Sequence, residues 1–174
     1  MARLLGSYLP VLDIAPRAGS DEDQPKARGT NMKVSEILHR KGTEVATVKA
    51  DDTISAAVRT LAEHGVGALV VSADGAHIDG IISERDIVRA LDTRGASSVD
   101  DAVATVMTAT VHTCALSDDI DQLMQVMTER RIRHIPVTED GVLVGIISIG
   151  DVVKRRLDQL EDENRHLNDY ISGR

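Results

Sequence analysis

The apolar positions of the chain fall into two matching successions. In the first, Val45-Ala46-Thr47-Val48 is a short strand candidate and Asp51-Asp52-Thr53 supplies capping residues. Ile54, Ala57, Val58, Leu61, Ala62 and Gly65 then share one face at helical spacing. Residues 66–71 are continuously apolar, too short for a lone helix and suited to a buried strand. Asp74-Gly75 predicts a hairpin turn and residues 78–82 its return strand. Ser83-Glu84-Arg85-Asp86 then opens a helix through Ile87, Val88 and Leu91. In the second succession, Val111-His112-Thr113-Cys114 matches the first strand and Ser117-Asp118-Asp119 the cap. Ile120, Leu123, Met124 and Met127 match the helix face, at an offset of 66 residues. Residues 132–137 match the buried strand, with Pro136 predicting that its end is not hydrogen-bonded as a central ladder would be. Asp140-Gly141 repeats the turn, and Gly145-Ile146-Ile147-Ser148-Ile149-Gly150-Asp151 follows Gly80-Ile81-Ile82-Ser83-Glu84-Arg85-Asp86 at an offset of 65. Register kept over five elements is an internal duplication.

The flanks read differently. An apolar stretch at residues 4–14 is broken by Pro10 and Asp13, and a polar run rich in Asp, Gly and Pro follows. Residues 1–31 are therefore expected to be a disordered or loosely docked extension and not a secretory signal, with Met32 as an alternative natural start. Residues 32–91 form the first repeat, 92–102 a loose connector and 103–157 the second repeat. Residues 158–174 belong to a C-terminal amphipathic helix. Along that helix Val153, Leu157, Leu160, Asn164, Leu167 and Ile171 are spaced 4, 3, 4, 3, 4 with mostly polar residues between, a heptad seam. Two placements suit such a stripe: pairing with another helix, or lying against its own protein.

Composition narrows the function. At 174 residues, 42% apolar and 28% charged, the chain suits one well-buried domain or two small units sharing a core. No uncharged apolar run is long enough to cross a bilayer. With no Trp or Phe, and Tyr only at positions 8 and 170, the core is aliphatic and the body offers no ring for stacking an exposed base. A net charge of −8 is the wrong sign for nucleic acid. The single Cys114 excludes an intrachain disulfide and fits a reducing, cytoplasmic compartment; it reads as core filler, with a reactive thiol as the alternative. The six histidines, His39, His64, His77, His112, His134 and His166, show no metal-ligand spacing.

The duplicated Ser-x-x-Asp carries the candidate chemistry. At a helix N-terminus it is either a capping box or an anion-favouring site whose carboxylate accepts two hydrogen bonds from a ribose diol. Gly65-Val66-Gly67 precedes a strand and lacks a third glycine, so it is no dinucleotide fingerprint. An enzyme would need a nucleophile with a base or facing carboxylates, and no His accompanies Ser and Asp at matching places in both repeats.

These residues resemble the CBS domain family: a β-α-β-β-α unit occurs twice, each ending in Gly-h-h-Ser-x-x-Asp with h apolar. Residues 32–157 look like a tandem CBS pair, or Bateman module. The resemblance implies an α/β (α+β) fold of two repeats related by a pseudo-twofold axis. It also implies adenosyl ligands (AMP, ADP, ATP, S-adenosylmethionine or NAD) in two clefts, and a homodimer of four repeats. By the same resemblance Asp86 and Asp151 hold the ribose, with Ser83 and Ser148 beside them, and Thr47 and Thr113 stand on the adenine side. Arg133 meets the phosphate, and its neighbour His134 either lines a cleft or is buried. The clefts differ, since Arg131 and Arg133 of repeat two replace Gly65 and Gly67, while Glu84 and Arg85 of repeat one replace Ile149 and Gly150. The expected function is a non-enzymatic sensor of energy or redox state, acting in trans on a partner protein. A ligand-free dimerisation module is the alternative, and an enzyme acting on a nucleotide a third reading.

Overall fold

The structure is a computed structural model that describes Leu12–Asp13 and residues 32–172; the expectation for residues 1–31 falls almost wholly outside these. In chain order the elements are β1 (Leu12–Asp13), α1 (Val34–Lys41), β2 (Thr47–Val48), α2 (Ile54–His64), β3 (Ala68–Val71), β4 (Gly80–Ser83) and α3 (Glu84–Arg94). Two 3-10 turns follow (Ala96–Asp100 and Val103–Thr105), then β5 (His112–Thr113), α4 (Ile120–Arg130), β6 (His134–Glu139), β7 (Val142–Ser148) and α5 (Ile149–Ile171). The fold is α+β, with two β-α-β-β-α repeats.

Each repeat follows from its local chemistry. Thr53 caps α2 by accepting from the Ala56 amide at 3.1 Å, and Asp119 caps α4 by accepting from Asp121 at 2.9 Å. β2 pairs parallel to β3, which pairs antiparallel to β4. In repeat two, β6 and β7 are antiparallel, and the segment after β5 reaches β6 through a parallel bridge of Cys114 with Val137. Pro136 sits inside β6 opposite Ile146, and its carbonyl accepts from the Cys114 amide at 3.0 Å. Outside this sheet, β5 pairs parallel with β1.

The two expected hairpins differ. Asp140 and Gly141 both take positive φ (51° and 79°), the two-residue turn that suits the strand twist. Asp74-Gly75 does not make one. Residues 72–79 form a longer loop in which Asp74 Oδ1 accepts from the amides of Ala76 and His77, both at 2.8 Å. The helix expected to end at Leu91 continues to Arg94.

The repeats exchange their leading segments. Val34, Ile37 and Leu38 of α1 are buried in the core of repeat two with Ile120, Leu123, Met127, Ile135, Ile147 and Val152. Reciprocally, Val103 is buried in the core of repeat one with Ile54, Leu61, Leu69, Ile82 and Ile87. The hydrogen bonds mirror one another. Val34 N donates to Asp118 O (3.0 Å) as Val103 N does to Asp52 O (2.8 Å), and Ile120 N donates to Met32 O (3.0 Å) as Ile54 N does to Asp101 O (2.9 Å). This is a pseudo-twofold arrangement.

It also explains the glycine of each signature. A Cβ on Gly145 would lie 2.6 Å from Leu38 Cδ1, and one on Gly80 would lie 2.8 Å from Met107 Sδ. The exchanged segment lies directly on the strand at both places, and no side chain fits between them.

α5 meets the body through buried Val152 and through two ion pairs, half-buried Arg155 with Glu36 (3.5 Å) and Asp158 with Arg40 (3.9 Å). Residues 160–172 are exposed. No described helix is long and apolar enough to cross a membrane.

Candidate functional site

The signature of repeat one opens onto a cavity of about 710 Å³ between the repeats. Ser83, Glu84, Arg85 and Asp86 form one wall, at the N-terminus of α3. Thr108, Thr110 and His112 form a second, and Arg130, Arg131, Arg133 and His134 a third. The carboxylate of Asp86 is held through one oxygen: Oδ2 accepts from the Ser83 amide at 3.0 Å and from the Ser83 hydroxyl at 2.5 Å. Among the described residues Oδ1 has no hydrogen-bond partner. The capping and binding readings of Ser-x-x-Asp are therefore compatible here, since the cap uses one oxygen and leaves the other.

Five arginines (Arg85, Arg89, Arg130, Arg131 and Arg133) line this cavity against two carboxylates, Glu84 and Asp86. In a chain of net charge −8 that is a local reversal of sign, and between low-dielectric walls it concentrates anions. The histidines do not add to it. Burial, then the charge of Arg130, lowers the pKa of His112, whose Nε2 lies 3.2 Å from Arg130 Nη1 and so serves as acceptor. Burial, then Lys41, lowers that of His134. Both rings are neutral at neutral pH.

Arg131 stands at a backbone position that disfavours it. It ends α4 in the left-handed region (φ 55°), where repeat one has Gly65 (φ 61°). A side chain there costs about 1 kcal/mol, and such strain gathers at functional sites. Arg131→Gly is expected to leave stability unchanged or raise it by about 1 kcal/mol. It is also expected to weaken a phosphorylated ligand about tenfold through loss of a charge-assisted contact. Thermal melting and ligand titration of one variant check both halves.

The signature of repeat two is arranged otherwise. Asp151 Oδ2 accepts from the Ser148 amide (2.8 Å), the Ser148 hydroxyl (2.7 Å) and the ammonium of Lys41 (2.6 Å), which also donates to Ile146 O at 3.2 Å. Burial opposes ionisation of Asp151, but Lys41 and Ser148 together outweigh it and hold the carboxyl below the usual range. The asymmetry starts in the exchanged segments. α1 places Glu36 in its first turn and His39, Arg40 and Lys41 in its last, so it stays helical and delivers Lys41 to Asp151. The matching stretch, Val103-Ala104-Thr105-Val106-Met107-Thr108, is rich in β-branched residues and stops after one 3-10 turn. Thr108 bridges to Ile81 and leaves the Asp86 cavity open.

Of the residues singled out in the sequence, Ser83, Arg85, Asp86, Arg131, Arg133 and His134 share one cavity, while Asp151, held by Ser148, meets Lys41 elsewhere. Neither Thr47 nor Thr113 lines the Asp86 cavity. Thr47 pairs with Val70 in the β2–β3 ladder, and Thr113 is buried at 1% exposure. Successive strand residues face opposite ways, so burying Thr113 turns His112 to the cavity. His134 lines the cavity half-buried, its ring against Gly67, where a Cβ would come within 3.3 Å of Cε1. His112, Arg89, Arg130 and Lys41 were not among the sequence candidates. Alternation did not mark His112, since Val111-His112-Thr113-Cys114 places one apolar residue on each face, and nothing local marks Lys41.

Two repeats that exchange segments and enclose an arginine-lined cleft define a tandem ligand-binding module. The family model described as the CBS domain matches residues 34–93 and 103–158, and the chain belongs to that family. A mitochondrial CBS domain-containing protein of Arabidopsis thaliana is 37% identical over 148 residues, covering 80% of this chain and 72% of the relative. Among solved structures, a CBS-domain containing protein from Agrobacterium tumefaciens is 48% identical with a TM-score of 0.70, covering 72% of this chain and 99% of the other. A CBS domain protein from Pyrobaculum aerophilum complexed with AMP is 28% identical with a TM-score of 0.61, covering 69% and 89%.

Proposed function

We propose that this chain is a non-enzymatic regulatory module that binds one phosphorylated adenine nucleotide (AMP, ADP, ATP or NAD) in the Asp86 cavity. It reports energy or redox state to a partner protein in trans, as a homodimer in the cytoplasm. The observation that carries this reading is the pairing, in one cavity, of a helix-N-terminal carboxylate with one oxygen unengaged and five arginines. The first suits a ribose diol and the second a phosphate chain. The AMP complex of the Pyrobaculum relative supports the ligand class. For Asp151 the structural alternative is favoured, because Lys41 already takes the place of a ligand's donors. One nucleotide per chain is the expected stoichiometry.

The test is extraction of nucleotide from purified protein, followed by melting with added ligand. With two Tyr and no Trp, a co-purified adenine would dominate the ultraviolet spectrum. Ligand at a hundred times its Kd stabilises by about 2.7 kcal/mol, raising the melting midpoint by roughly 5 to 11 °C without turnover. No shift with any adenine nucleotide, from protein shown to be ligand-free, leaves the dimerisation-module reading standing.

A further inference from the structure

We infer that the C-terminal parts of α5 from two copies of this chain pair as a parallel, in-register, two-stranded coiled coil. This rests on the homodimer proposed above and assigns its orientation. Beyond its first turn, where Ile149 and Asp151 are held, the helix meets its own body through Val152, Arg155 and Asp158. At 100° per residue Arg155 and Asp158 lie on the side opposite Val153, Leu157, Leu160, Asn164, Leu167 and Ile171, with Val152 flanking that side. The seam therefore faces away from the protomer: Leu157 is 56% exposed, Leu160 47%, Leu167 63% and Ile171 79%. Beyond Asp158 the described hydrogen bonds and ion pairs of α5 all lie within the helix.

Heptad positions select the occupant and its direction. With Leu157, Asn164 and Ile171 at a, positions d are Val153, Leu160 and Leu167. In a parallel in-register pair each a residue meets its own copy, so Asn164 finds the amide of the second Asn164. The Asn164 oxygen already accepts from Asn168 Nδ2 at 2.9 Å, so an antiparallel pair, which would layer the amide against leucine at d, would leave its N–H groups without a partner. Charge points the same way. Arg156 at g lies beside Glu161 at e of the second copy in the parallel arrangement, an opposite-sign pair on each flank. Both ligand cavities then sit at the same end of the coil.

Single-cysteine variants of the full chain test this. Cys114 is fully buried and its thiol is pushed up to about 12, so it stays silent under mild oxidation. Leu160→Cys and Leu167→Cys, made separately, should each form an interchain disulfide in most of the protein. Arg156→Glu should raise the dimer Kd about tenfold, and adding Glu161→Arg should restore it to within about twofold. An antiparallel pair can bring at most one of positions 160 and 167 opposite itself, and a staggered pair neither. Crosslinking at one position only, or at none, in protein of dimeric mass overturns the orientation and spares the homodimer. Monomeric mass overturns both, while the nucleotide reading is judged apart by the melting shift.

Discussion

Asp86→Ala is expected to lower affinity for AMP or ATP by roughly a hundredfold or more, while Asp151→Ala leaves that affinity within about twofold. The two acids share a motif, a helix-N-terminal position and a hydrogen bond to their own serine. They differ in what else they hold. Removing Asp86 takes away the acceptor proposed for a ribose diol, two charge-assisted hydrogen bonds of about 1.5 to 3 kcal/mol each. Removing Asp151 takes away a cap and the partner of a half-exposed ammonium. The expected loss is therefore on the order of 1 kcal/mol of stability, with the cavity untouched. Calorimetry should give one site per wild-type chain, none in the Asp86 variant and one in the Asp151 variant. Two sites in the wild type, falling to one in each variant, would show that Lys41 yields to ligand and that the two clefts are functionally equal.

Leu38→Ala is expected to cost about 2 to 5 kcal/mol, a fall in melting midpoint of roughly 4 to 20 °C. The residue is only 3% exposed, and it lies in a core built from the other repeat, against Gly145. Gly145→Ala alone should also destabilise, by about 1 to 3 kcal/mol, because the new methyl meets Leu38 Cδ1 at 2.6 Å. In a strand the same change would otherwise help slightly, so the sign is diagnostic. Combined, the two should cost less than their sum, since the methyl enters the space that Leu38 vacates. Strict additivity in the double-mutant cycle would mean that the contact does not decide the glycine.

The repeat, its family and most of its elements were legible because each is written locally: an apolar period, a cap, a turn. The exchange of α1 and Val103 was not. Periodicity says which face of a helix is buried and nothing about which core receives it, and Val34 finds its partners about a hundred residues away, at Ile135, Ile147 and Val152. Lys41 was hidden for the same reason, for its role depends on where α1 docks. The glycines of the signature were visible as glycines, but what fills the space above them lies in a segment of no obvious relation. Asp74-Gly75 and Asp140-Gly141 are the converse case. The dipeptides are identical, yet the longer spacer before Gly80 lets residues 72–79 close on Asp74 instead of a tight hairpin. His112 lines the cavity where Thr113 was expected to, a step of one residue that exchanges one strand face for the other.

The exchange also sets an order in time. During synthesis α1 is made early, yet the strand and helix that cover it, β7 and α5, come about a hundred residues later. At about 5 to 20 residues per second that is a wait of several seconds or more. Repeat one has all its covering segments once Met107 has been made, while the apolar face of α1 still has no core to enter. The first of the described helices is thus among the last to be buried, and a chain halted before β7 would present Val34, Ile37 and Leu38 to chaperones and proteases.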